Sequence, residues 1–183
     1  MRSVLFLGAF VACASHQNNI RIVKNFREAR ERRDFVAAQA YIAPGARVWF
    51  EEKAGRGEPF LLGGGSWDHW DHYFHSKTAF FRWRSHGRSV IASVRETNDF
   101  MRLLDWEAPP YTMTFWLDDR NRISEVLLKS GGKPKSRLDE FKVWVAKNHP
   151  GKLAWLMPNG QINPSQPELW RAMLEEWRYG TKR

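Results

Sequence analysis

The sequence predicts an α+β protein in which helices come before and after a run of consecutive strands. Three observations support this class: helical periodicity near the N-terminus, alternating strand-like runs in the middle, and helical periodicity again after Gly131. Consecutive strands with the helices outside the run favour one sheet with the helices on one face. The 183 residues, 43% of them hydrophobic, suit one domain with a real core.

The first elements are two helices within residues 18–41. Apolar residues recur there at three-residue spacing, as on one helix face: Ile20, Val23 and Phe26. Asp34 is a suitable N-cap for a second, short helix over residues 35–41. Pro44-Gly45 is expected to end this helical region.

The middle of the chain predicts strands joined by turns. Ser66, after a glycine run that lacks the phosphate-loop pattern, is expected to start a short helix over residues 67–75. Turn residues such as Gly87 and Pro109-Pro110 separate the later strands, as in an antiparallel meander. The predicted strands are Arg47–Glu52, Phe80–Ser85, Ser89–Leu104, Tyr111–Leu117 and Arg122–Lys129.

A linker-like segment, residues 131–135, precedes two C-terminal helices near residues 138–148 and 166–179, with a short turn around residues 153–156. We therefore expect a domain over residues 18–130 and a helical extension over residues 136–180 that packs on the same domain. The sequence shows no internal repeat.

The net charge of +9 favours anionic partners in general. However, the basic residues form no run of five, and the densest groups are Arg27–Arg33 and Arg82–Arg88. We interpret them as a solvated face. On a strand, Trp83 would point away from Arg82 and Arg84, whereas nucleic-acid binding needs charge and stacking on one surface. We therefore expect no nucleic-acid partner.

The first 14 residues have the pattern of an export signal. An apolar stretch from Val4 to Ala12 follows Arg2 and ends at small and polar residues. Ala12-Cys13-Ala14 reads as a cleavage site, whereas residues 10–13 resemble a lipoprotein box that would place a lipid on Cys13. The alternative is the first turn of a buried helix. We expect an exported protein, periplasmic or lipid-anchored in the bacterial envelope, with membrane contact only through that lipid.

The third predicted strand carries the candidate site. Alternation places Val90, Ala92 and Val94 on one face, followed by Glu96 and Asn98 and then Phe100. Polar groups on an apolar face must be paired or solvated, and a desolvated carboxyl can serve as an acid or base. Either Glu96 and Asn98 line a pocket floor, or the strand end extends into water.

A second candidate is the helix segment that contains His69, His72 and His75 with Asp68 and Asp71. These residue types can bind zinc or copper. The apolar stripe of the same helix consists of Trp67, Trp70 and Phe74, which leaves the histidines on the outer face. We therefore expect no bound metal and no cofactor.

The order of several segments resembles the nuclear-transport-factor-2-like superfamily, especially its SnoaL-like bacterial members with a cystatin-like fold. These segments are an RRDF turn, YIAPGARVWFE, a tryptophan-rich helix, RETNDFMRLL and TFWLDDRNRISEVLL. The resemblance covers residues 18–129 and, more loosely, the C-terminal helices, since it is to members that extend past the final strand. It implies a cone-shaped, curved antiparallel sheet with the N-terminal helices on its concave face, a ligand cavity, and often a homodimer.

Family enzymes include isomerases, cyclases, hydrolases and dehydratases, but the resemblance supplies no reaction here, because their catalytic patterns have no match. It implies that Glu96 and Asn98 point into the cavity and that the strand of Trp49 contributes to it. We expect a protein that binds a small, partly apolar molecule. Glu96 would be the acid–base group, Asn98 a hydrogen-bond donor, and Trp49, Phe100 and Tyr111 the walls. The alternative is a non-catalytic exported interaction module, which a core filled by tryptophans would favour.

Overall fold

The computed structural model of the protein describes residues 5–52, 55–56, 60–62 and 65–180; the described side chains are those of residues 16–51, 62 and 66–180. It is a mixed α+β structure with a curled sheet. The elements in chain order are α1 (Leu5–Glu31), α2 (Phe35–Gln39), β1 (Ile42–Glu52), β2 (Gly55–Arg56), β3 (Phe60–Leu61), α3 (Gly65–Tyr73), β4 (Lys77–His86), β5 (Ser89–Thr97), α4 (Asp99–Leu103), β6 (Tyr111–Leu117), β7 (Ile123–Lys129), α5 (Leu138–Asn148), α6 (Lys152–Leu156), a 3-10 turn (Pro158–Gly160) and α7 (Pro167–Gly180).

The strands of the described part form one sheet in the order β2-β1-β7-β6-β5-β4, with β3 also paired to β1. The β5, β6 and β7 neighbours pair antiparallel, as the meander predicts. The β1–β7 pair is parallel, and it places β1 beside the last strand of the meander. None of the described helices is long and apolar enough to cross a membrane.

Two sequence predictions about element boundaries are wrong. Pro44-Gly45 does not end a helical region but lies inside β1, where the left-handed Gly45 (φ 71°) accompanies a register shift in the pairing with β7. The third predicted strand does not reach Leu104. β5 ends at Thr97 because the side chain of Asn98 accepts a hydrogen bond from the Met101 amide at 2.8 Å and caps α4.

The first of two compact units, the sheet unit, comprises Met1–Gly63, Phe80–Val94 and Tyr111–Ser130. Asp34 caps α2 as predicted, accepting from the Ala37 amide at 2.9 Å. Asn19 is buried on α1 and donates to the Gly87 carbonyl at 2.8 Å. The buried core of this unit consists mainly of small and aliphatic side chains: Val23, Phe26, Ala29, Ala38, Ile42, Ala46, Val48, Val90, Phe115, Leu117, Ile123 and Val126.

The second unit, the helical unit, comprises Gly64–Ala79, Arg95–Pro110 and Gly131–Arg183. The C-terminal helices therefore form one compact unit with α3 and α4. The sequence analysis instead assigns the residues of α3 and α4 to the domain over residues 18–130. Its core consists largely of aromatic rings: Trp70, Phe74, Phe100, Leu104, Phe141, Val145, Leu156, Trp170, Leu174 and Trp177.

Candidate functional site

The structure confirms which face of β5 is the dry one. The apolar residues of that face are fully buried: Val90, Ala92 and Val94. Glu96, two residues further on, is half-buried, whereas Arg95 and Thr97 are exposed. The carboxylate therefore lies where the buried face of β5 gives way to solvent.

Glu96 and Asn98 are brought together by a direct hydrogen bond. The Asn98 amide nitrogen donates to Glu96 Oε1 at 2.9 Å and lies 3.3 Å from the Ser76 hydroxyl. Because the amide oxygen of Asn98 also caps α4, both ends of its side chain have protein partners. Asn98 thus orients Glu96 within the protein.

The remaining predicted wall residues divide between the two units. Phe100 is buried in the helical unit, with its ring 4.9 Å from that of Trp70 and 5.2 Å from that of Trp170. Trp49 and Tyr111 belong to the sheet unit, where both are half-buried. Trp49 pairs with Leu127 across the parallel β1–β7 ladder.

Cys13 lies in α1, but its side chain is not among those described. Residues 1–4 of the predicted signal also lie outside the described residues. His69, His72 and His75 are exposed, whereas Trp70 and Phe74 are buried, as the helical spacing predicts. In the described part of the chain, no group of three or more histidine, cysteine, aspartate or glutamate side chains is arranged to hold a metal ion.

The sequence did not predict a network that surrounds Asp99. The carboxylate Oδ2 lies 2.9 Å from His75 Nδ1 and accepts from Arg171 Nη2 at 3.0 Å, while Arg102 contacts Oδ1. The same Arg171 group donates to the Tyr73 carbonyl at 3.3 Å. We call this network, together with Ser76, Glu96 and Asn98, the polar corner.

Local backbone structure positions the polar corner. His75 adopts a left-handed conformation (φ 52°) just after α3, which turns the chain there. The Asp99 amide donates to the Phe74 carbonyl at 2.8 Å, which fixes the start of α4 beside the end of α3. The pair Asn98-Asp99 is a helix-start signal in the sequence, and it could have indicated α4 in place of a strand that continues to Leu104.

Burial by itself would raise the pKa of the Asp99 carboxyl. The hydrogen bonds from His75 and Arg171, together with the charge of Arg102, outweigh this effect and lower the pKa to about 2. The same carboxylate raises the pKa of Arg171 despite the guanidinium's own desolvation. Asp99 therefore stays ionised and can hold the Nδ1–H of His75, which leaves Nε2 of the exposed ring directed to other partners.

The arrangement is chemically suited to hydrogen bonding and proton transfer. A carboxylate that orients an imidazole is the arrangement used by many general bases, because it fixes both the tautomer and the ring direction. Glu96 supplies a second carboxylate, which accepts hydrogen bonds when ionised. Both groups are accessible to a ligand, since Glu96 is half-buried and His75 is exposed.

Two of the open grooves among the described residues include no residue of the polar corner. One, of about 430 Å³, is lined by Lys142, Leu153, Ala154, Met157 and Gly160. The other, of about 400 Å³, runs along α1 between Gln17 and Glu28.

No protein-family model matches the sequence, and no curated protein matches it either. Solved structures do resemble it. A protein from Kribbella flavida, provisionally assigned as a ketosteroid isomerase, superposes with a TM-score of 0.50 at 12% identity over 64% of this chain and 81% of its own. The fold is nuclear-transport-factor-2-like.

Two further structures with TM-scores below 0.5 are similar. A provisionally assigned polyketide cyclase from Streptomyces antibioticus has a TM-score of 0.48 at 20% identity, over 62% of this chain and 91% of its own. A SnoaL-like protein of unknown function from Burkholderia thailandensis has a TM-score of 0.47 at 13% identity, over 61% and 93%. The nuclear-transport-factor-2-like fold hosts many functions, so the function must be argued from the side chains of this chain.

Proposed function

We propose that the protein binds a small, partly apolar molecule at the polar corner, through Glu96 and His75. The observation that carries this proposal is the pair of fixed, accessible polar groups: a half-buried carboxylate held by Asn98, and an imidazole held by the ionised Asp99. A ligand with a hydroxyl or amino group would donate to Glu96. The half-buried ring of Tyr73, 5.2 Å from the Arg171 guanidinium, offers apolar surface beside it.

If the ligand is also transformed, the roles follow from the geometry. His75 Nε2 would take up or deliver the proton, and Asp99 would stabilise the protonated ring without itself being protonated. Glu96 would hold the ligand or act as a second acid–base group, as the sequence predicts. Asn98 and Arg171 are positioning residues, since each acts through a neighbouring carboxylate.

The proposal is tested with a fragment library of phenols and amino alcohols, measured by calorimetry against the wild type and the variants Glu96→Gln and His75→Gln. A hydrogen bond to a charged group contributes about 1.5–3 kcal/mol, so each variant should lose about tenfold to a hundredfold in affinity. The matched controls are His149→Gln and Glu176→Gln, which remove another imidazole–carboxylate pair (3.0 Å) of the same unit. Equal losses in the controls would contradict the proposal.

A second candidate function, a non-catalytic interaction module, is favoured by the ring-filled core of the helical unit. Trp170 and Trp177 are buried there and help to fill the interior of this unit. This candidate predicts that no fragment binds with an affinity that depends on Glu96 or His75.

We also propose that the first 12 to 14 residues direct export, on the basis of their apolar run and small residues. Mass spectrometry of protein from the native host should find these residues removed, and intact Met1 would contradict the proposal. A Cys13→Ser variant tests lipidation separately: if the lipid is attached at Cys13, the variant should lose the membrane association that persists at high salt.

A further inference from the structure

Two adjacent apolar side chains protrude where α2 begins. Phe35 is 54% exposed and Val36 is 86% exposed. Single exposed apolar residues are ordinary, but two neighbouring ones form a small apolar surface that a partner can cover. We call residues 30–36 the α1–α2 turn.

The α1–α2 turn is held by its own hydrogen bonds. Arg33 takes a left-handed conformation (φ 59°), and its amide donates to the Arg30 carbonyl at 2.9 Å. The Asp34 amide donates to the Ala29 carbonyl at 2.9 Å, and the Asp34 side chain caps α2. Phe35 and Val36 are therefore presented by a fixed backbone, which reduces the entropy lost on binding.

Basic residues are frequent in the segment that leads up to this apolar pair. Six basic and three acidic residues lie between positions 21 and 36. Glu31 pairs with Arg27, Glu28 lies 4.0 Å from Arg32, and Asp34 caps α2, so each acidic side chain has a local partner. Arg32, with its side chain 65% exposed, and the exposed Arg33 precede the apolar pair in the chain, with only Asp34 between them.

We propose that the α1–α2 turn binds the surface of an anionic phospholipid bilayer. Phe35 and Val36 enter the boundary between headgroups and acyl chains, and Arg32 and Arg33 bind lipid phosphates. Basic residues beside protruding apolar ones combine electrostatic attraction with apolar burial, which is how peripheral proteins attach to membranes. This contact is independent of the ligand site and of any lipid on Cys13, and it revises the interpretation of Arg27–Arg33 as a solvated face.

The test uses the full chain carrying Cys13→Ser, so that no lipid anchor contributes. Flotation is measured with phosphatidylcholine vesicles that contain about one-third phosphatidylglycerol, at about 0.05 M and about 0.5 M salt. We expect binding at low salt that falls on adding salt and is absent with pure phosphatidylcholine. Phe35→Ser with Val36→Ser should reduce the partition coefficient by on the order of tenfold or more.

Neutralising the charges should act in the same direction. Arg32→Gln with Arg33→Asn, where asparagine tolerates the left-handed backbone, should reduce binding by about twentyfold at low salt. The apolar control is Trp155→Ser, which removes a side chain that is 66% exposed in the helical unit. The charge control is Arg84→Gln with Arg120→Gln, two exposed arginines elsewhere in the sheet unit.

Absence of flotation with anionic vesicles would overturn the proposal, and so would equal losses in the control variants. Binding to pure phosphatidylcholine at the same level would overturn the role of the arginines. Retention on immobilised polyaspartate without flotation would assign the turn to an acidic protein and overturn the bilayer as its partner. Apart from Cys13→Ser, the substitutions are at exposed positions, and circular dichroism verifies that each variant remains folded.

Discussion

The two compact units of this chain are stabilised by different kinds of core. The sheet unit packs mostly valine, isoleucine, leucine and alanine beneath its strands, with Phe26 and Phe115 as the larger buried rings. The helical unit packs Trp70, Trp170 and Trp177 with three phenylalanines. Rings bury more area per residue and meet at defined angles: Trp70 and Phe100 lie 84° from the plane of Trp170. Short helices, each with few inward positions, can thus form a core if those positions carry large rings.

The two units also differ in the contacts that their charged side chains make. In the sheet unit, basic side chains of α1 lie over rings of β4, with Arg27 3.4 Å from the centre of Phe80 and Lys24 5.5 Å from that of Trp83. In the helical unit, imidazole–carboxylate pairs join separate elements: His69 with Glu168, His75 with Asp99, and His149 with Glu176. Each of these pairs joins two residues that lie more than 20 positions apart along the chain.

The largest expected effect comes from the aromatic core. Trp170→Ala should lower the free energy of unfolding by about 3–5 kcal/mol, because it removes a fully buried ring and leaves a cavity. Urea unfolding followed by circular dichroism measures the loss. The exposed Trp155→Ala is the control and should change stability by less than about 0.5 kcal/mol. Similar losses for both would show that the rings do not form the core as described.

Asp99 gives the next largest effect, and it depends on pH. The folded pKa of about 2 lies below the ordinary 3.8, so the carboxylate's contribution is fully present above pH 3.8 and is lost as the pH falls through about 2. Its size is about 2 kcal/mol. Asp99→Asn should destabilise the protein by that order at pH 6 and by much less near pH 2.

The control for this pH dependence is Asp119→Asn, at a highly exposed carboxylate of the sheet unit that pairs with Arg88. We expect it to change stability little at either pH. A pH-independent loss in Asp99→Asn would mean that packing, not the charge, is what Asp99 contributes.

The helix caps should give intermediate and equal effects in the two units. Asn98→Ala and Asp34→Ala each remove a side chain that accepts from a helix amide, at 2.8 Å and 2.9 Å, and each should cost about 1 kcal/mol. Asn98→Ser should recover most of the loss, since serine also caps helices. Failure of serine to recover it would indicate that the bond from Asn98 to Glu96 matters more than the cap.

The smallest effect belongs to the pair of His69 and Glu168, which lie 3.1 Å apart with both side chains more than half exposed. A double-mutant cycle with His69→Gln and Glu168→Gln should give a coupling of about 0.2–1 kcal/mol, because both side chains are solvated. A coupling well above this range would contradict a weak contact at the surface.

Much of the fold could be predicted because the periodic signals are strong. The bounds of β6 and α5 agree with the sequence patterns, as do the Asp34 cap and the inward stripe of Trp70 and Phe74. The end of β5 could not be predicted from alternation, because residues 98–104 fit a strand pattern that the Asn98 cap overrides. Alternation does place Glu96 on the correct face, because this residue lies before the end of β5.

The polar corner could not be derived from the sequence, because its members are far apart along the chain. His75, Asp99 and Arg171 meet only when α3, α4 and α7 pack, and no local spacing relates them. The exposure of Phe35 and Val36 was also missed, since apolar residues at a helix start are ordinarily counted toward a core.

The most direct test of the proposed ligand site is the nitrogen NMR spectrum of the histidine side chains during titration with the fragments that bind. The proposal predicts that the Nε2 signal of His75 shifts with ligand concentration, that the signals of His149 do not, and that Glu96→Gln suppresses the shift. Binding that leaves His75 unchanged while shifting other histidines would contradict the assignment of the polar corner as the ligand site.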